Sequence, residues 1–188
     1  MEERLCAMIM AGGQSQRMRR GGRSCHKGLR TILGAPLIEW NLSALLWFGF
    51  RQVYVAVSGC EPELTQWLMG KGTALAKERG AELVTLVEGR PLGTIGAAGR
   101  VLTDVIDVVI VNVDNLTDLN LRTLLKFHRD KAAALTVATH QQVIRLPFGR
   151  LRLEGDRLIG YDEKPDVPVQ ISSGTYVLNQ RVLAAIQR

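Results

Sequence analysis

The chain has 188 residues, 46% of them hydrophobic and 22% charged, with a formal net charge of +6. That length suits one domain with a core of its own, and no apolar run approaches the roughly 18 residues of a membrane-spanning helix. Aromatic residues make up 5% and do not interleave with basic ones on a strand pattern, which argues against stacking on single-stranded nucleic acid. Three cysteines without a C-x-x-C spacing argue against structural zinc and for free thiols.

Met-Glu-Glu-Arg runs directly into the apolar stretch Leu5 to Met10, without the pattern of a secretory signal, so a cytoplasmic protein is expected. The stretch reads as a strand and empties into Ala11-Gly12-Gly13-Gln14-Ser15-Gln16-Arg17-Met18. Consecutive glycines admit phosphate oxygens to backbone N–H groups that a Cβ would screen, and Arg17 and Lys27 supply positive charge beside them. The spacing matches neither G-x-x-x-x-G-K-[ST] nor G-x-G-x-x-G, which argues against an ordinary ATPase or dehydrogenase. Arg17, Arg19, Arg20, Arg23, Lys27 and Arg30 gather next to this loop, a charge distribution that a small polyphosphate explains more economically than DNA.

Downstream, the pattern predicts a helix over Pro36 to Phe48, with Pro36 suited to a first turn and Leu37, Ile38, Leu42, Leu45 and Leu46 as its core stripe. Gln52 to Ser58, Glu82 to Val87 and Val108 to Val113 read as strands, and Glu61 to Lys77 and Gly96 to Thr103 as helices between them. The alternation predicts an α/β fold, a Rossmann-like and mostly parallel sheet flanked by helices. Such sheets bind ligands beyond the carboxyl ends of their strands, so the loops after Met10, Val87 and Val113 should meet at one site. After a helix over Leu119 to Arg129, strands follow without long helices at Ala133 to Thr139, Gly149 to Leu153, Leu158 to Asp162 and Ser173 to Leu178. Glu154-Gly155-Asp156-Arg157 reads as a hairpin turn. With no repeat or linker, residues 1–188 read as a single domain. Asp114 closes an apolar strand, where a carboxylate is ordinarily a helix cap. His26, His128 and His140 lack metal-ligand spacing, and His128 reads as a helix-surface residue.

Four features then stand in order: the Gly-Gly loop with Arg17 and Lys27; Glu88-Gly89-Arg90-Pro91-Leu92-Gly93-Thr94; Val111-Asn112-Val113-Asp114; and Glu163-Lys164-Pro165 followed by Ser172-Ser173-Gly174-Thr175-Tyr176-Val177-Leu178. Together they resemble the nucleoside-diphosphate-sugar pyrophosphorylases, the sugar-1-phosphate nucleotidyltransferases, from Ala7 to about the end of the chain. Arg17 and Lys27 keep the ten-residue interval of that family's Arg and Lys. The resemblance implies the family's nucleotide-diphospho-sugar transferase fold. It also implies that Ala11, Gly12, Gly13 and Ser15 hold the nucleotide, with Pro91, Gly93 and Thr94 against the base. By the same resemblance Arg17 grips the departing phosphates, Lys27 neutralises the α-phosphate and Asp114 binds Mg²⁺. Gly149 in Pro147-Phe148-Gly149, Glu163 and Ser172 would contact the sugar, and Lys164 its phosphate.

What the resemblance implies, then, is a Mg²⁺-dependent enzyme joining a nucleoside triphosphate to a sugar 1-phosphate with release of pyrophosphate, without nucleic-acid or membrane partners and with homo-oligomerisation left open. Arg145-Leu146-Pro147-Phe148-Gly149 looks like a segment of the mannose- and heptose-1-phosphate guanylyltransferases, so guanylyl transfer and GTP binding are expected. Thymidylyl and cytidylyl transfer stay open. Several residues depart from the pattern: Ser15 and Gln16 for Gly-Thr, His26 and Gly28 for the prolines around Lys27, and Ser172 for an Asn. The family also continues to a strand with a second metal-binding Asp, which this chain is expected to lack. Two alternatives follow from those departures. One is a molybdenum-cofactor-type guanylyltransferase, whose first motif is nearer to Gln14-Ser15-Gln16-Arg17-Met18. The other is a non-catalytic nucleotide-sugar-binding regulatory subunit.

Overall fold

The computed structural model describes residues 5–12, 25–90, 92–93, 95–101 and 106–186. Strand β1 (Cys6–Ala11) is buried along its whole length and lies between β4 (Gln52–Ser58) and β6 (Asp107–Asn112), parallel to both. Beyond β4, β5 (Glu82–Glu88) is parallel again; beyond β6, β10 (Asp166–Asn179) runs antiparallel and β7 (Leu135–Arg145) closes the order β5-β4-β1-β6-β10-β7.

Both faces of the central strands β1, β4 and β6 are covered, which is why these read as unbroken apolar runs rather than as an alternation. Ala7, Ile9 and Ala11 of β1 point to the face packed by α1 (Leu37–Trp47), whose Ile38, Leu42 and Leu45 are buried with Val55 and Val109. Cys6, Met8 and Met10 point the other way, toward Ala97, Ala98 and Leu183. Full burial of Ile38 or Leu42 stabilises the fold by about 1.5–3 kcal/mol each. Ahead of α1, β2 (Thr31–Ile32) and β3 (Ala35–Pro36) form a small hairpin.

The helix expected over Glu61 to Lys77 is present as α2 (Pro62–Trp67), a π-helical stretch (Leu68–Gly72) and α3 (Thr73–Glu78). Gly96 to Thr103 differs from its expectation, for Gly96–Arg100 is a 3-10 turn. Gly96 and Gly99 within five residues remove the helix propensity that a longer α-helix would need. Helix α4 (Leu121–Asp130) buries Leu121, Leu125 and His128 along one stripe, so His128 is not the surface residue expected. It is 1% exposed, and its Nδ1 lies 2.7 Å from Thr136 Oγ1. Helix α5 (Gln180–Ile186) follows β10.

The chain divides into two compact units, Met1–Val137 with Gly174–Arg188, and Ala138–Ser173. The second comprises the outer parts of β7 and β10 and the hairpin of β8 (Arg150–Glu154) and β9 (Arg157–Asp162). Glu154 pairs with Arg157 across the expected turn, where Gly155 adopts φ +60°, as the first central residue of a type II′ hairpin requires. All three cysteines are free, Cys6 in the core and Cys25 and Cys60 exposed.

Candidate active site

At the carboxyl ends of the parallel strands, the residue after β1 meets the end of β5, and the turn at Lys27 meets the segment after β6. Gly12, just past β1, lies against the carboxylate of Glu88 at the end of β5; a Cβ on Gly12 would stand 2.5 Å from Glu88 Oε2. Gly12, Glu88, Ser58, Cys60 and Arg90 line a cavity of about 70 Å³. Glu88 is 5% exposed, and burial pushes its carboxyl above the usual range, opposed by the charge of Arg100 and by a backbone hydrogen bond from Leu92. Its Oε1 has no hydrogen-bond partner among the described residues. Gly93 takes φ +79°, a conformation open to glycine at little cost, so the Leu-Gly segment turns sharply beside Glu88.

Lys27 sits in a 3-10 turn (Lys27–Leu29), and its Nζ lies 3.0 Å from Asp114 Oδ2 across 87 residues of sequence. Asp114 does not cap a helix: the N-cap of α4 is Asn120, whose side chain accepts from the Thr123 N–H. Three residues that the sequence reading did not single out as site residues hold this arrangement. His26 Nδ1 accepts from the Gly28 N–H at 3.0 Å, while its Nε2 lies 2.9 Å from the Ala11 carbonyl oxygen. Burial pushes the His26 imidazole below its usual range, opposed first by the nearby carboxylate of Glu61. Asn41 of α1 donates to the carbonyls of Leu37 and Val113, and Asn115 donates to Thr175 Oγ1 at 2.8 Å. The Asp114 loop is thereby fastened to α1 on one side and β10 on the other.

In the second unit, Tyr161 donates to Glu163 Oε2 at 2.7 Å, and Lys164 Nζ is 3.8 Å from Glu163 Oε1. Gly149 packs directly against the Tyr161 ring, where a Cβ would clash. Gly149 and Glu163 thus both touch Tyr161, which was not singled out from sequence, and Lys164 lies beside Glu163; Ser172 lies on β10, exposed. Gly13, Ser15, Arg17, Pro91 and Thr94 lie outside the described residues. Among the described residues no group of three His, Cys, Asp or Glu forms a metal cluster. No helix among them is long and apolar enough to cross a membrane.

Residues 6–188 match the family model described as Nucleotidyl transferase. The chain belongs to that family. It is 30% identical over 191 residues to a mannose-1-phosphate guanylyltransferase of Mycobacterium tuberculosis, covering 96% of this chain and 50% of that protein. Against a UTP–glucose-1-phosphate uridylyltransferase of Synechocystis it is 28% identical, again covering 50% of the relative. The chain therefore spans about half the length of the curated relatives it matches. In fold it is similar to HddC from Yersinia pseudotuberculosis complexed with GMP-PN, with a TM-score of 0.69 at 19% identity, covering 96% of this chain and 79% of that one. The two curated relatives are named as sugar-1-phosphate nucleotidyltransferases, and the architecture shared with the solved structure is the mostly parallel α/β sheet described above.

Proposed function

We propose that the chain carries the nucleotide-binding and catalytic part of an NTP:sugar-1-phosphate nucleotidyltransferase that transfers a guanylyl group. The observation that carries this reading is the pairing of Lys27 with Asp114 at the carboxyl edge of the sheet, beside the loop that opens at Gly12. An oxygen of the sugar phosphate attacks the α-phosphorus in line; the new O–P bond forms as the bond to the β-phosphate oxygen breaks, and pyrophosphate leaves. Negative charge spreads over the α-phosphate oxygens in that transition state, and a fixed ammonium group there is worth most where it need not reorganise. Lys27 supplies that cation, Arg17 holds the leaving phosphates, and Lys164 orients the attacking phosphate.

Mg²⁺ fits the donor set, because one half-exposed carboxylate at a strand end leaves most of an octahedron to phosphate and water oxygens. Asp114 would hold it, and when bound it would neutralise phosphate charge.

The curated relatives named as guanylyltransferases support guanine as the base.

Incubation with Mg²⁺, each of four nucleoside triphosphates and a panel of sugar 1-phosphates, followed by pyrophosphate release, tests the proposal. GTP with mannose or heptose 1-phosphate is the expected pair. Preference for another triphosphate would overturn the guanylyl assignment. Binding of GDP-sugar with no turnover of any pair would replace the enzyme with a binding subunit.

A further inference from the structure

We infer that His26 is a positioning residue for Lys27: its imidazole fastens the end of β1 to the turn that carries the ammonium group. This rests on the reading of Lys27 as the cation at the α-phosphate. The His26 ring is 2% exposed and makes two hydrogen bonds that only one neutral tautomer satisfies. Because the Gly28 N–H is itself a donor, Nδ1 must be bare; Nε2 then carries the proton and donates to the Ala11 carbonyl at 2.9 Å. A cationic ring would set Nδ1–H against Gly28 N–H.

The bonds join two segments that handle phosphate in the proposed reaction, His26 reaching the carbonyl of Ala11 15 residues earlier. Ala11 directly precedes Gly12, and Gly28 directly follows Lys27. The turn holding Lys27 is three residues long. On its other side Gly28 lies against Val113, where a Cβ would stand 2.9 Å from Cγ2. Close packing thus sets how near the turn comes to β6, and the imidazole sets its distance from β1. Displacement of a reacting-site group by about an ångström can cost on the order of a hundredfold in rate, so a loosened turn lowers turnover more than ground-state binding.

Two variants separate the tie from the cap. In His26→Asn the side-chain oxygen can still accept from the Gly28 N–H, as Asn does at helix starts, but it is too short to reach Ala11 as well; His26→Ala removes both bonds. The readouts are the rate of Lys27 acetylation by acetic anhydride, followed by mass spectrometry against the exposed Lys126, and kcat and KM for the pair found above. In both variants Lys27 should label several-fold faster, and kcat should fall about tenfold or more while KM for GTP stays within about twofold. The thermal midpoint should fall less in His26→Asn than in His26→Ala. Wild-type kcat in His26→Asn would overturn the inference, as would kcat and KM worsening only in step with the thermal midpoint. Absence of turnover in the wild-type protein would instead overturn the transferase reading, and with it any role for His26 in catalysis.

Discussion

Lys27 and Asp114 make an ion pair open enough to matter little for folding. With 24% and 52% of their side chains exposed, water screens both partners, and pairs of this kind contribute about 0–1 kcal/mol. Lys27→Ala and Asp114→Asn should accordingly leave the thermal midpoint almost unchanged. Loss of a fixed cation at the transferring phosphate, by contrast, should cost about 10²–10³ in kcat, and loss of the Asp114 charge should remove the Mg²⁺ dependence. Steady-state kinetics and thermal unfolding on the same preparations check this; a large drop in midpoint with intact turnover would make the pair structural.

Glu88 is the opposite case, a carboxylate whose burial is unfavourable to the fold. Its folded-state value lies above the ordinary 4.5 because burial penalises the charged form, so the folded protein holds this proton more tightly than the unfolded chain. Its contribution to stability is therefore full below 4.5 and declines as pH rises through the folded value. Glu88→Gln should lack that decline and match or exceed the wild type at neutral pH. Unfolding curves across pH decide it: parallel traces for the two proteins would contradict the burial argument.

At the scale of elements, a side-chain contact explains why a glycine follows β1. An alanine at position 12 would drive its Cβ into Oε2 of the buried Glu88. Gly12→Ala should cost about 1–3 kcal/mol and weaken nucleotide binding together; calorimetry with GTP and thermal unfolding would show both defects. That contact was not legible in the sequence, because it joins β1 to β5 across the intervening β4. What was legible follows from local physics. Apolar runs gave β4 at its full bounds and β1, β5 and β6 to within a residue at each end, since strands covered on both faces carry little else. The edge that carries the candidate site followed from the parallel order. His128 was misread because a polar type outweighed its place in the Leu121, Leu125, His128 stripe, and that spacing was the available signal. His26 carried no such signal, for its value lies in Ala11 and Gly28 lying on either side of one ring.

At the scale of the whole molecule, the chemistry expected for the two substrates falls in different compact units. Gly12, Lys27, Glu88 and Asp114 belong to the unit built on the parallel sheet; Gly149, Glu163 and Lys164 belong to Ala138–Ser173. The charges of that second unit balance, with Arg145, Arg150, Arg152, Arg157 and Lys164 against Glu154, Asp156, Asp162, Glu163 and Asp166, so the net excess of +6 arises outside it. A lysine there serves a local purpose rather than a general attraction for anions. Lys164 adopts φ +43°, in the left-handed region that non-glycine residues seldom occupy, and more than half of its side chain is exposed. Lys164→Ala removes the ammonium without taking away packing, so folding should be little affected. A cation that binds and orients the attacking phosphate affects both KM for the sugar 1-phosphate and kcat, whereas the residues proposed to hold GTP belong to the other unit. Calorimetric titration of this variant should show GTP affinity within about twofold of wild type and a loss of sugar-phosphate affinity of about tenfold, the scale of one charge-assisted hydrogen bond. Equal weakening for both ligands would assign Lys164 to the architecture of the site instead of to one of its substrates.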